Sequence, residues 1–277
     1  MAKTYFLRWP TNDAGSFQWL LADGDKPGPV ETGSLSAASD RIGANRCTVV
    51  LPADWVMSTA ADVPVRGAQA IRQAVPYALE DQYAVDIDRL QFAFGGRSAA
   101  GIAVQTVDKR QLDDVVSELR WVGMRPLRVR GAASLLPVDT LLVESGAAMF
   151  NGGGKLGGVD VDMLPLIFGD ADWPSQLVIT PASQAVVANM RPGAEAMLVD
   201  EPLQFLANQS AAAKAINLLQ GDFAPQAELA KHAKRWRFPV AMAAAIAMAM
   251  FVGKFLDLRD IRAQNDALYA DVKRVYE

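Results

Sequence analysis

Sixteen residues, "FPVAMAAAIAMAMFVG" from Phe238 to Gly253, carry no charged or strongly polar side chain, and they limit what the whole chain can be. A helix needs about 20 apolar residues to cross about 30 Å of hydrocarbon. The run is shorter, but Lys254 can snorkel toward the headgroups and apolar character resumes in "FLDL". The spacing therefore predicts a single transmembrane helix over 238–258. A buried helix of a soluble protein is the rival reading, because the alanines make the run only moderately apolar. The flanks decide between the two. Lys231, Lys234, Arg235 and Arg237 precede the run with no acid among them, and mixed charges follow it. That asymmetry is the positive-inside pattern, and it places the preceding residues in the cytoplasm. The opening "MAKTYFLRWP" lacks the apolar core of a cleavable signal, so the span is expected to act as an internal anchor.

The chain thus divides into a head over 1–230, a basic juxtamembrane collar over 231–237, the span over 238–258 and a stub over 259–277. From the end of the span through the stub, Leu258, Ile261, Leu268, Val272 and Val275 recur at helical spacings among charged residues, the pattern of an amphipathic helix that seeks a partner. Of the 27 basic and 31 acidic residues, nine and five fall in 231–277, which leaves 18 and 26 in the head. A head this acidic does not draw nucleic acid to itself through its net field.

The head is poor in catalytic groups. One His and one Cys serve the whole chain. His232 sits in the collar, and Cys47 sits in the apolar run "RCTVVLP", where a buried structural thiol is expected. Acids two apart, at Asp86 and Asp88, Asp160 and Asp162, and Asp170 and Asp172, lack the continuation of a calcium loop and read as solvated turns. Val143 stands where the hydrolase elbow needs its first glycine. "NGGGKLGG", Asn151 to Gly158, has the glycines and lysine of a phosphate cradle. Met149 and Leu156, however, occupy the positions where a P-loop needs a glycine and a Ser or Thr. A turn between two strands is the expectation for it. No metal and no cofactor is expected.

Elements alternate along the head as in a mixed α/β fold. "TYFLRWP" and "FQWLLADGD" predict a hairpin, "PVETG" a third short strand, "SLSAASDRIG" a capped helix and "RCTVVLP" a buried strand. This order is the first half of a ribonuclease H/actin module. A helix follows with Ala68, Ile71, Val75 and Leu79 on one face and a kink at Pro76. "LQFAFGG" and "GIAVQTV" form a β-pair, and "DKRQLDDVVSELRWVG" a helix capped by Asp108 and stopped at Gly123. "RPLRVRG", "DTLLVESG" and "QLVITP" add strands, and "EPLQFLANQSAAAKAINLLQG" is expected to be a final helix. No part of the head repeats another in sequence.

Three blocks carry a resemblance. "VLPADWV" at Val50 to Val56, "AVPYALEDQYAVDIDRLQFAF" at Ala74 to Phe94 and "INLLQGDFAP" at Ile216 to Pro225 resemble, in residues and spacing, protein L of the bacterial type II secretion system. The resemblance implies a non-catalytic inner-membrane protein with one span and an actin-like cytoplasmic region. It also implies partners: the cytoplasmic secretion ATPase, which such proteins recruit to the membrane, protein M of the same system, and a second copy in a homodimer. Glu80, Asp81, Asp86 and Asp88 are the candidate docking residues for the ATPase, and the collar lysines and arginines for the headgroups. The family usually carries a folded periplasmic domain after its stub, so the sequence to Glu277 is either a truncated chain or a short variant. Actin-like ATPases hold magnesium-nucleotide with Asp-x-Gly loops. The nearest match here, "LVESGAAMF" at Leu142 to Phe150, offers Glu144 and Gly146 without the aspartate. The alternative, an actin-family nucleotide-binding ATPase using "ESG" and "NGGGKLGG", predicts magnesium-dependent nucleotide binding that Lys155→Ala weakens.

Overall fold

The computed structural model describes residues 3–11, 16–24, 26–65, 67–169, 172–209 and 215–224, and otherwise only Met242, Met248 and Met250. The chain forms two compact units, Met1–Phe223 and Ala224–Glu277. In the second, the three described methionines are helical and exposed. The collar, the stub and the rest of the expected span lie outside the described residues, as does His232. No helix among the described residues is long and apolar enough to cross a membrane.

The first unit opens with β1 (Thr4–Arg8), β2 (Phe17–Asp23), β3 (Lys26–Pro27), β4 (Glu31–Gly33), α1 (Leu35–Ile42) and β5 (Cys47–Leu51). Ser34 caps α1 by accepting from the Ala37 N–H, and the positive φ of Gly43 ends it. The chain continues through β6 (Met57–Ala61), α2 (Ala68–Ala78), β7 (Leu90–Ser98), β8 (Gly101–Asp108), α3 (Lys109–Trp121) and β9 (Arg128–Gly131). Next come β10 (Thr140–Glu144), β11 (Ala147–Gly152), β12 (Lys155–Asp160), α4 (Leu164–Phe168), β13 (Gln176–Ile179), α5 (Gln184–Met190), β14 (Ala196–Leu198) and α6 (Pro202–Gln209).

One sheet runs β3-β2-β1-β5-β9 and a second β12-β11-β10-β13-β14. In each, the first strand pairs antiparallel with the second, and two later strands join parallel on its other side. The ribonuclease H topology expected for the first half is therefore present twice, a repeat in three dimensions that the sequence does not show. Between β5 and β9 the first module carries an insertion, the small sheet β6-β8-β7 packed on α2.

Alternation along the strands sets the cores. Leu7, Val49 and Val129 face α1 and α3, where Ile42, Leu112 and Leu119 meet them. Phe6, Leu20 and Val50 face the other way, onto Leu135, Leu142, Met149 and the α6 residues Leu203 and Leu206, so one core joins the two modules. A third core, from Leu141 and Val143 to Leu164 and Phe168, lies beneath α4 and α5 of the second module. Every residue of β5 is buried, as a strand covered on both faces requires.

Three expectations change. Pro76 sits in the last turn of α2 rather than at a mid-helix kink, and the helix gives way to a 3-10 turn at Glu80–Gln82. Strand β6 is a further element that the sequence pattern does not announce. The final helix does not reach its expected end: α6 is described over Pro202–Gln209, and residues 215–220 are not helical. They form a strap instead. The Leu218 N–H donates to the Val129 carbonyl of β9, while Asn217 Oδ1 accepts from the Val129 N–H. Gln220 bonds to β7, accepting from the Phe94 N–H and donating to the Phe94 carbonyl, and its own carbonyl accepts from Gln91. Side-chain amides that capture strand backbone defeat the local helix propensity of "AINLLQ", Ala215 to Gln220.

Candidate functional site

The cleft between the two modules is where an actin-like fold places a ligand, and it holds about 670 Å³. Arg8 ends β1 on one side and Glu144 ends β10 on the other. Their side chains close on one another in a two-pronged pair, Arg8 Nη1 to Glu144 Oε1 at 2.9 Å and Nη2 to Oε2 at 2.6 Å. Both are 21% exposed, so solvent screens the pair only in part. Asp54 and Asp160 also line the cleft. Among the described residues that line the cleft, the one guanidinium is thus committed to a carboxylate, and two further acids stand where polyphosphate would need cations.

The two candidate phosphate loops are otherwise engaged. Ser145 and Gly146 make a tight turn with φ of 48° and 87°, joining β10 to β11. The Ser145 N–H, which a phosphate loop would aim at its ligand, donates to Ser183 Oγ at 3.0 Å. "NGGGKLGG" is a hairpin, as expected: Gly153 and Gly154, at φ of 59° and 72°, turn β11 into β12. Lys155 folds away from the cleft, with its ammonium donating to the Ile167 carbonyl and lying 5.5 Å from the centre of the Phe168 ring. Gly158 matters for another reason. A Cβ there would come within 2.4 Å of Ala53 Cβ, so β12 lies directly on the turn after β5.

Glu80, Asp81, Asp86 and Asp88 are all exposed, on the segment that leaves α2 and enters β7. Asp86 Oδ1 accepts from the Asp88 N–H, and Lys109 reaches the Asp88 carbonyl. The fold thus holds the four acids on one surface segment of the inserted subdomain. Cys47 is buried, and desolvation pushes its thiol up to about 12. Among the described residues no group of His, Cys, Asp or Glu could hold a metal ion. Arg8 is not evident as a site residue from sequence, because nothing in "LRWP" signals a partner 136 residues away.

Two ribonuclease H modules sharing a core across a cleft define an actin-like protein, here with the cleft bridged by its own side chains. The type II secretion system (T2SS) protein L family model matches residues 5–226, and the chain belongs to that family. It is 24% identical over 282 residues to type II secretion system protein L of Vibrio cholerae serotype O1, an alignment covering 94% of this chain and 65% of that protein. This chain therefore spans about two thirds of that relative's length. The solved cytoplasmic domain of EpsL, an inner membrane component of the type II secretion system of Vibrio cholerae, superposes with a TM-score of 0.61 at 17% identity. That match covers 80% of this chain and 100% of that one.

Proposed function

We propose that the chain is a non-catalytic inner-membrane adaptor of the type II secretion system, whose actin-like head recruits the secretion ATPase to the membrane and links it to the assembly platform. The observation that carries the non-catalytic part is the Arg8–Glu144 pair across the cleft. It takes up the cation that a nucleotide would require and places a carboxylate beside it. The family resemblance supports the partners, namely the ATPase, protein M and a second copy. Likeness to EpsL, an inner membrane component in Vibrio cholerae, supports the inner-membrane location. The apolar run over 238–258 would anchor the head, and the collar of Lys231, Lys234, Arg235 and Arg237 would face anionic headgroups, each charge contributing about 1 kcal/mol. Anchoring replaces a three-dimensional search by a tethered one and so raises the effective concentration of the ATPase at the membrane. Glu80, Asp81, Asp86 and Asp88 are the proposed docking residues.

The test is calorimetric titration of the full chain in nanodiscs with the amino-terminal domain of the cognate secretion ATPase, without nucleotide. The expected result is one-to-one binding at micromolar strength or tighter. Reversing the four acids to lysine is expected to weaken it by about tenfold or more, or about 1.4 kcal/mol. No binding to the ATPase, with saturable magnesium-ATP binding that Lys155→Ala weakens, would replace the adaptor by an actin-family nucleotide-binding protein.

A further inference from the structure

A second cavity, of about 1250 Å³, adjoins the ion-paired cleft, with which it shares Ala53, Asp54 and Gly158, and runs between the inserted sheet and the β11–β12 hairpin. It exceeds the roughly 300–1,000 Å³ of small-molecule pockets. Two independent features of its walls call for hydrogen bonds.

The first is strand edges. Strands β6 and β12 are each the outer strand of their sheet, and both line the groove. About the two-residue turn, Gly152 with Lys155 and Phe150 with Gly157 are the mutually bonded pairs of the hairpin. The N–H and C=O of Leu156 and Gly158 therefore point away from β11, and none of them makes a backbone bond elsewhere among the described residues. Gly157 presents no side chain to hold another backbone off, while Gly158 seats the strand against the Ala53 turn at one end of the groove. An open edge of this kind is a template for a further strand.

The second is an orphan on the groove wall. Gln105 of β8 is 2% exposed and lines the groove. Its Nε2 donates to Ser58 Oγ at 3.1 Å, but its Oε1 has no partner among the described residues. Turning the amide over would satisfy the oxygen from Ser58 and orphan the nitrogen, so either orientation leaves half the amide unserved. Buried polar groups are rarely left in that state. Around these groups the groove is apolar, with Val56, Met57, Leu136 and Val138, the last 82% exposed.

We propose that this groove takes an extended peptide segment of a partner protein, added as a strand along the outer edge of β12, with alternate apolar side chains against Met57 and Val138 and a polar side chain serving Gln105. A backbone is the complement of free backbone N–H and C=O groups, which neither a lipid headgroup nor a nucleotide supplies in register. The proposal does not depend on the adaptor reading.

The test pans a phage-displayed library of random peptides about seven residues long, a common strand length, against the full chain in nanodiscs. The expected result is enrichment of sequences with alternating apolar residues. The synthetic peptide should bind Leu156→Pro and Gln105→Met about tenfold more weakly or worse. Leu156→Pro deletes one outward N–H and leaves the hairpin's own bonds intact. Gln105→Met removes the orphan, so the melting temperature of its peptide-free chain should be unchanged or higher, an outcome that a merely structural glutamine would not give. No enrichment, or equal binding by both variants, overturns the proposal. So does a concentration-dependent dimer abolished by Leu156→Pro, which would give the groove to a second copy.

Discussion

Cys47 opens β5 with its side chain among Leu7, Val49 and Val129, and burial there pushes the thiol up to about 12 from an ordinary 9.0. A group whose folded pKa is raised contributes stability below its unfolded pKa and loses it as pH climbs toward the folded value. Stability is therefore expected to fall between about pH 9 and pH 12 for this reason, and a Cys47→Ala chain should show a shallower fall in denaturant midpoint over that window. At pH 8 the native thiol should resist iodoacetamide, reacting only once denaturant is added. The Arg8–Glu144 pair belongs to the same scale. Removing Arg8 leaves the Glu144 carboxylate without its ion partner, and removing Glu144 leaves Arg8 only a long 3.4 Å bond to Gln18 Oε1, so Arg8→Ala or Glu144→Ala should each destabilise by about 1–3 kcal/mol. The exchanged pair Arg8→Glu with Glu144→Arg should recover part of the loss, and no recovery would show that the bridge does not join the modules. Cys47 was legible from its apolar neighbours in sequence. The bridge was not, since its two halves are 136 residues apart and neither stands in a motif.

Among the elements, those specified by local chemistry were legible. Ser34 and Asp108 accept from N–H groups at the starts of α1 and α3, and Gly153 and Gly154 take the positive φ of a tight hairpin turn. Elements that answer to distant partners were not. Strand β6, "MSTAA", has almost no apolar alternation, and its pairing with β8 makes it a strand. The strap at 216–220 has a helical composition and a non-helical fate, because Asn217 and Gln220 spend their amides on β9 and β7. Ile216 lies so close to β7 that a Cβ on Gly95 would approach it to 2.8 Å. Leu218 is fully buried in the core of the first module, and Leu218→Ala should lower stability by about 2–5 kcal/mol, read as a shift in the denaturant midpoint. If that midpoint does not move, the strap is not part of the cooperative fold.

At the scale of the molecule, half of the architecture was legible: the opening strands and helix gave the first ribonuclease H module. The second stayed hidden because a strand buried on both faces asks only for apolar residues, and "TLLVE" and "QLVI" share a topology with "YFLR" and "TVVL" without sharing residues. The candidate docking acids were legible as exposed charge in the family-like block, and the fold does set them on one surface segment. The groove between β6 and β12 was not, because it exists only where two separate sheets present their edges to one another.

The strap also decides where a mechanical load enters the head. The chain leaves the first unit through the turn at Gly221–Phe223, directly after the residues that bond to β9 and β7. A pull from the residues beyond 224 is therefore carried by two sheets at once instead of peeling off α6, the last helix. The strap ties the chain to the edge strands of two sheets, β9 and β7, so a tug on the chain beyond it is expected to meet both before the head unravels. Single-molecule pulling from residue 224 should find one high-force event, and Asn217→Ala, which leaves the buried Val129 N–H without its acceptor, should lower both that force and the denaturant midpoint.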